Sequence, residues 1–337
     1  MDTRMNATTI ETLPTSYILR APREEDIPAI LTLLRDADDA EFGQHDDWTT
    51  EDILADWKTI DPAQDAWLVL TPEGALAGYA TVFNQGSGKI FGDGYVHPTQ
   101  HERGIGTALI HLCESRAREM VDSAPEGARV SIGFGANGLN EEAGALFAHE
   151  GYAPIRNFYR MRIDMTEEPP EPVWPEEVTL RTLKTGEEEM EDQRTVFDAV
   201  EEAFSDHWGH VPRTFESWIE RAHREDFDPS LWFIAEEEGQ IAGFSLCRLS
   251  GEQGWLNTLG VRRPWRTRGL GMALLLHTFG EFYRRGMPTV VLGVDAQNLT
   301  GALRLYERAG MYVSMRFATH EKELRAGEEL ATQTLGD

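Results

Sequence analysis

The sequence predicts an α/β (α+β) chain built from two tandem copies of one domain. Three observations predict it. A glycine-rich string occurs twice, anchor residues keep a nearly constant spacing between the halves, and each half shows the same alternation of strand and helix patterns.

The string Arg-Gly-x-Gly-x-Ala-Leu runs from Arg103 to Leu109 and again from Arg268 to Leu274. Each copy follows a short apolar run, ending in Val96 or Val261, and opens an apolar-periodic stretch. A glycine-rich turn between strand and helix presents backbone N–H groups and a helix N-terminus to an anion, usually a phosphate. The chain thus carries two candidate phosphate cradles.

The spacing holds well beyond the string. Trp67 and Trp232, Gly78 and Gly243, Val96 and Val261, and Gly104 and Gly269 are each 165 residues apart. Leu19-Arg20 matches Leu180-Arg181 at 161, and Gly151 matches Gly310 at 159. Small changes of offset along a held register mean loop-length changes within a duplicated domain. Solenoid repeats have periods of about 20 to 50 residues, so this is no array.

The elements follow in order. Tyr17–Ala21 reads as a strand and Glu24–Arg35 as a helix, with Ile27, Ile30, Leu31 and Leu34 on one face. Thr49 to Trp57 reads as a second helix, Thr49 capping it with Asp52 at capping-box spacing. Strands follow at 67–70, 78–84 and 89–96, a helix from Gly104 to about Val121, a strand at 130–133, a helix at 140–149 and a strand at 158–164. The second copy repeats the order, with strands at 231–235, 241–249 and 255–261, a helix at 269–285, a strand at 289–294, a helix at 300–309 and a strand at 312–322. Pro169, Pro170, Pro172 and Pro175 among glutamates mark a stiff linker. The expected organisation is a disordered tail 1–15, a first domain 16–165, a linker 166–176, a second domain 177–325 and a loose polar tail 326–337.

Composition excludes several classes. The 337 residues suit about two domains, and 41% hydrophobic residues suffice for a core in each. No run approaches the roughly 18 apolar residues of a membrane span. Met1 to Pro14 lacks an apolar signal core, so a cytoplasmic chain is expected. The two cysteines, Cys113 and Cys247, stand at non-equivalent places without metal spacing, and no metal is expected. A net charge of −27 disfavours nucleic acid, which needs a basic footprint. Acidity could instead attract a cationic amine or amino sugar; the other reading is that runs such as Glu187-Glu188-Glu189 are solvated faces.

With these residues in view, each half resembles the GNAT acetyltransferase superfamily, whose pyrophosphate loop reads Arg/Gln-x-x-Gly-x-Gly/Ala after the fourth strand. Arg266-Thr267-Arg268-Gly269-Leu270-Gly271 matches in full. Asn298 to Ala302, followed by Leu305 to Gly310, is similar to the family's downstream cofactor helix. The resemblance implies a mixed, mostly antiparallel, splayed sheet flanked by helices in each copy. It also implies acetyl-CoA as donor and a small-molecule primary amine as acceptor, for which the resemblance suggests an amino-thiol and the chain's acidity a cation.

Carried over residue by residue, it implies that Gly269 and Gly271 let the backbone approach the pyrophosphate, while Arg266 and Arg268 add charge-assisted contacts. Thr267 and Leu270 complete the loop. Leu259, Gly260 and Val261 would bond the pantetheine amides and polarise the thioester carbonyl. Asn298 would contact the cofactor amide, and Tyr306 would protonate the leaving thiolate. The fourth strand of the second copy, Trp255 to Val261, has no carboxylate to act as base. His207 and His210, in Ser205-Asp206-His207-Trp208-Gly209-His210, are the remaining candidates for proton transfer.

The first copy keeps Tyr95, Val96, Arg103, Gly104, Ile105 and Gly106 as cofactor candidates, yet departs in two places. His101 stands where Arg or Gln is usual, and Phe147 stands opposite Tyr306 and cannot donate a proton. Asp93 on its fourth strand could serve as a base. The first copy is therefore expected to be degenerate. Two readings stay beside the acetyltransferase: a non-catalytic acyl-CoA-binding module, and a transferase of another acyl group. Tandem copies allow a monomer with an internal pseudo-dimer as readily as a homodimer.

Overall fold

A computed structural model describes residues 13–46, 48–222, 227–298 and 301–332. The first half runs β1 (Ile18–Arg20), α1 (Ile27–Phe42), α2 (Thr50–Trp57), the single-turn α3 (Pro62–Asp65), β2 (Ala66–Leu70), β3 (Leu76–Gly86), β4 (Lys89–Val96), α4 (Ile105–Met120), β5 (Val130–Asn137), α5 (Glu141–His149) and β6 (Ala153–Asp164). The second runs β7 (Thr179–Thr182), α6 (Glu189–Phe204), α7 (Phe215–Ala222), β8 (Trp232–Glu237), β9 (Gln240–Ser250), β10 (Gln253–Val261), α8 (Leu270–Arg284), β11 (Thr289–Asp295), α9 (Ala302–Arg308) and β12 (Tyr312–Arg325).

Local chemistry accounts for these bounds. Helix α1 buries Ile27, Ile30, Leu33 and Leu34, and the expected Leu31 packs half-buried against the same core. It runs past Arg35 to Phe42 because its Asp and Ala residues continue the turn, and Gly43, with φ of 68°, stops it. The capping box of α2 forms as expected: the Thr49 hydroxyl accepts from the Asp52 N–H, and the Asp52 carboxylate accepts from the Thr49 N–H at 3.0 Å.

The chain divides into two compact units, and their membership corrects the boundaries expected at 165 and 177. Unit 1 takes the chain up to Asn157 together with Phe317–Leu330; unit 2 takes Phe158–Arg316 and the chain from Ala331. In unit 1 the strand order is β1-β2-β3-β4-β5-β12, with Phe317 to Arg325 of β12 antiparallel to β5. Unit 2 has the order β7-β8-β9-β10-β11-β6, with Phe158 to Asp164 of β6 antiparallel to β11. The last strand of each half therefore completes the other unit. Sequence spacing cannot show this, because β6 and β12 occupy equivalent places in the repeat and either one satisfies the same edge.

Each sheet is covered by helices on both faces. In unit 1, Ile30, Trp57, Leu68 and Tyr79 pack under α1 and α2, while Val82, Ile105, Leu109, Ile132 and Phe134 pack with α4 on the other face. In unit 2, Val196, Trp218, Trp232 and Phe244 pack under α6 and α7, while Leu256, Leu274, Phe279, Phe282 and Leu292 pack with α8.

Two expected loose segments are packed. The proline-rich 166–176 stretch is no free spacer: Trp174 meets the His277 ring of α8 edge-on at 5.9 Å. In the expected tail, Glu328 exchanges backbone hydrogen bonds with Gly127 and Arg129 in unit 1, and Thr332 does so with Gly209 and His210 in unit 2. Of the expected N-terminal tail, residues 1–12 lie outside the described residues, while Leu13 is buried in unit 1. No helix among the described residues is long and apolar enough to cross a membrane.

The strand that unit 1 receives is fixed by ion pairs. Glu321 on β12 meets Arg129 at 2.6 Å and Lys89 at 3.1 Å and accepts from the Ser131 hydroxyl at 2.8 Å. Burial alone would raise the Glu321 carboxyl, but the two cations and the hydroxyl outweigh it and hold it below the usual range. Glu321→Ala is expected to lower stability by about 3 kcal/mol at pH 7, read by urea unfolding, because buried cations lose a partner. A carboxylate with a lowered folded pKa stabilises above its unfolded value and loses that contribution as pH falls through the folded one. The gap between variant and parent should therefore narrow below about pH 4.5, the ordinary glutamate value.

Candidate active site

The site in unit 2 begins where two parallel strands separate. Strands β10 and β11 pair only at Gly254↔Val290 and Trp255↔Val291, yet β10 continues to Val261 and β11 to Asp295. From Leu256 onward, β9 is the only strand paired with β10 among the described residues. Asn257 bulges out of the β9 ladder, between Leu256↔Cys247 and Thr258↔Leu246. The expected splay is present, and Leu259, Gly260 and Val261 border it. Gly260 is required by packing, since a Cβ there would meet the Phe244 ring at 2.3 Å.

The loop after β10 turns on two left-handed residues, Thr267 with φ of 65° and Gly269 with φ of 88°. A β-branched residue in this region is strained. Among the described residues, the N–H groups of Thr267, Arg268, Gly269, Leu270 and Gly271 have no acceptor, whereas Met272 and Ala273 already donate to the Gly269 carbonyl. The result is a concave row of amides ahead of the N-terminus of α8, suited to an anion. The two glycines have different tasks. Gly269 has open space and needs its backbone angle; Gly271 has a close neighbour, since a Cβ there would lie 3.3 Å from Leu305 of α9.

The loop arginines make bonds within the protein. The Arg266 guanidinium donates to the Val261 carbonyl at 3.1 Å and the Ala203 carbonyl at 3.3 Å. Arg268 pairs with Glu237 at 2.6 Å, and Glu237 also accepts from the Trp265 indole. Arg262 bonds Glu202 at 2.7 Å, and Arg263 bonds Asp206. Three of these side chains fasten the loop to the end of α6, leaving the backbone as the anion-facing surface. The acidic partners Glu202, Asp206 and Glu237 were the missed signal: they are the carboxylates for which the basic run Arg262 to Arg268 needs a counterpart.

Tyr306 lies on α9, one residue after Leu305, and is buried in the core under α8. Its hydroxyl has no hydrogen-bond partner among the described residues, and burial pushes the phenol up to about 12. Asn298 lies in the turn after β11, its N–H on the Asp295 carbonyl at 3.1 Å; Thr300, the expected start of α9, lies outside the described residues. His207 packs edge-on against Phe204 at 4.3 Å. Burial, and then Arg266, lower its pKa, so the imidazole is neutral at pH 7. His210 instead faces Glu201 at 3.4 Å, a carboxylate that also meets Arg213, which makes it a fastening residue.

Unit 1 repeats much of this. Its parallel ladder ends at Gly92↔Phe134, and β4 and β5 continue apart. Glu102 and Gly104 are left-handed, like Thr267 and Gly269. His101 shares a 3.2 Å contact with the Val96 carbonyl, the bond Arg266 makes to Val261, so the substitution that looked like lost phosphate contact keeps a structural bond. Arg103 reaches the Tyr17 hydroxyl at 3.4 Å, and Tyr95 sits beside Asp93. Burial raises the Asp93 carboxyl to about 6. Phe147 holds the place of Tyr306: the Tyr152 N–H donates to the Phe147 carbonyl as the Met311 N–H does to Tyr306. Its ring stacks on His320 at 4.8 Å.

Comparison with known proteins agrees with this geometry. The Acetyltransferase (GNAT) family model matches residues 27–132 and 194–311. A mycothiol acetyltransferase of Thermomonospora curvata is 32% identical over 256 residues, covering 75% of this chain and 80% of that protein. The crystal structure of a GCN5-related N-acetyltransferase from Sphaerobacter thermophilus is 40% identical, with a TM-score of 0.84 over 96% of this chain and 100% of that one. A tandem GNAT protein from the clavulanic acid biosynthesis pathway shares the fold at 16% identity, with a TM-score of 0.69 over 93% of this chain and 100% of that one. The chain belongs to the GNAT acetyltransferase family, as a tandem member and an N-acetyltransferase.

Proposed function

We propose that unit 2 transfers an acetyl group from acetyl-CoA to the primary amine of a small molecule. The observation that carries this reading is the row of five acceptor-less amides beside a strand edge freed by the splay. The amides of 267–271 hold the pyrophosphate, and the freed edge at Leu259 to Val261 bonds the pantetheine arm and polarises the thioester carbonyl. The relatives named for mycothiol acetylation support an amino-thiol as one acceptor of this class.

The reaction is direct. The neutral amine attacks the thioester carbonyl, the tetrahedral intermediate collapses, and the C–S bond breaks. Tyr306 gives its proton to the leaving sulfur. A phenol held near 12 stays protonated throughout the working range and is recharged after each turnover from solvent. His207, neutral at pH 7, takes the amine proton directly or through water. His210, held by Glu201, positions the segment. Unit 1 keeps the loop and holds a second cofactor, but with Phe147 it has no acid to complete transfer.

Three results test this. Tyr306→Phe should lower kcat by about 10²-fold or more while the calorimetric Kd for acetyl-CoA is unchanged; an unchanged kcat removes Tyr306 from the mechanism. Calorimetry should count two acetyl-CoA sites per chain. Gly269→Val, which forces a branched residue into a left-handed conformation, should abolish one of them and all activity. In a pH–rate profile, kcat/KM should fall on the acid side with an apparent pKa below 6.5, the ordinary histidine value. That limb should vanish in His207→Asn; its persistence would assign the base elsewhere.

A further inference from the structure

A glycine in the middle of a strand weakens it, so each one calls for a reason. Most strand glycines of this chain have one within the protein. Gly86 takes a left-handed φ of 84°. At Gly78, Gly92, Gly133, Gly243, Gly254 and Gly260 a Cβ would lie within 3.3 Å of a neighbouring atom. Among the described residues three strand glycines have no such reason: Gly94 on β4, Gly135 on β5 and Gly293 on β11. None has a left-handed φ, and the ladders run through them without a register shift. A Cβ at Gly135 or Gly293 would meet no described atom within 4 Å, and at Gly94 it would meet the Ala80 Cβ at an ordinary 3.7 Å. All three are exposed, and all three lie past the last pair of their parallel ladder, Gly92↔Phe134 or Trp255↔Val291. Bare, exposed backbone in an inner strand marks the close approach of a ligand.

In unit 2, Gly293 stands at the reacting end of the site. Counting on from Trp255↔Val291 and passing the bulged Asn257 brings Thr258 level with Gly293 across the gap. The same count in unit 1 brings Asp93 level with Gly135. In the proposed function the phosphates sit at the loop after Val261, so an arm lying along Val261 to Leu259 brings its thioester back toward this level. Side chains alternate along a strand. Leu292 and Val294 pack in the core with Tyr306, so Gly293 turns to the opposite face. Asp295 shares that face, and its charge acts on the His207 imidazole just after α6. Thr258 shares it too, standing two residues before Gly260, whose Cβ would meet the Phe244 ring in the core under α6. It also borders a cavity of about 220 Å³ whose described walls include Arg213, Trp218 and Arg248. Arg160, the ladder neighbour of Gly293, lies over the Trp255 ring and stays more than 4 Å from the Cβ position of the glycine.

The acid and the base of the proposed transfer therefore stand on opposite faces of β11, Tyr306 on one and His207 on the other. Sulfur leaves toward the first, and the amine enters from the second. We propose that the acceptor amine of unit 2 reaches the thioester across the bare Cα of Gly293, and that the missing side chain is what keeps this approach open. Gly293 is thus a residue that limits which acceptors enter, set by space and not by charge. The proposal rests on unit 2 being the transfer site.

The test needs no knowledge of the acceptor. In Gly293→Cys a thiol stands where the amine would arrive, and the full chain is incubated with acetyl-CoA at about pH 8, near the ordinary thiol pKa. The introduced thiolate attacks the thioester carbonyl, the C–S bond to CoA breaks, and CoA leaves as a thiol with the proton the cysteine gave up. Peptide mass spectrometry reads the acetylated cysteine. Cys113 and Cys247 are buried and serve as internal controls. Glu252→Cys, in the exposed turn between β9 and β10, gives the rate for a thiol away from the site. The thiol at 293 should be acetylated at least about 10²-fold faster than the one at 252, because a held reactant has a raised effective concentration. Adding Gly269→Val should remove that gain. Gly293→Ser, of similar size and without a thiol, should bind acetyl-CoA in calorimetry with the Kd of the parent. Acetylation no faster than at 252, or a gain that survives Gly269→Val, would overturn the proposal. So would loss of the acetyl-CoA site in Gly293→Ser, since the side chain would then block the cofactor and not the amine. A parent chain that binds no acetyl-CoA would overturn the transfer reading itself, so the two failures are told apart by calorimetry on the unchanged protein.

Discussion

A parallel pair of strands that stops hydrogen-bonding after two residues is the feature on which unit 2 depends. The β10–β11 ladder ends at Trp255↔Val291, and the proposed transfer site lies beyond that point. An unpaired strand edge inside a protein is costly, because each backbone N–H and C=O needs a partner. In the proposed function this edge is useful, because a ligand with amide groups can take the place of the missing strand. The same parting opens space for the bulge at Asn257 and for the cavity beside Thr258.

The loop that follows borders that edge and fixes its own shape. Thr267 and Gly269 are both left-handed, and a strained threonine persists only where its surroundings over-determine it. The surroundings do so through arginine. Arg262, Arg263 and Arg266 tie the loop to Glu202, Asp206 and the carbonyls of Ala203 and Val261. A loop held this way presents its amides without reorganising when an anion arrives. Unit 1 shows how the device tolerates change, because His101 keeps the contact with its strand-end carbonyl.

The two units have also diverged in charge and in acid–base equipment. Unit 2 has a buried phenol on α9 and a neutral residue, Thr258, at the strand position that Asp93 holds in unit 1. Unit 1 has Phe147 in place of the phenol and Asp93 in place of the threonine. Neither copy therefore holds both an acid and a strand carboxylate. This division fits one working unit with its base on the α6–α7 loop, and a second unit that retains the cofactor loop while its aromatic cluster of Phe134, Phe147, Tyr152 and His320 fills the adjoining space.

The sequence by itself determined the duplication, the order of strands and helices, the two glycine-rich loops and the place of Tyr306. These are local matters: hydrophobic period, capping residues and glycine spacing act within a few residues of one another. Tertiary structure alone decided which strand completes which unit, because β6 and β12 are equivalent by pattern and contacts made only in the folded chain, among them Glu321 with Lys89 and Arg129, select between them. It also decided what the arginines do. A guanidinium has a long, flexible stem, so its sequence position leaves open whether it faces a phosphate or a nearby carboxylate. In the folded chain Glu237, Glu202 and Asp206 lie within reach of the loop arginines, and Arg213 and Arg248, far apart in sequence, share the wall of one cavity.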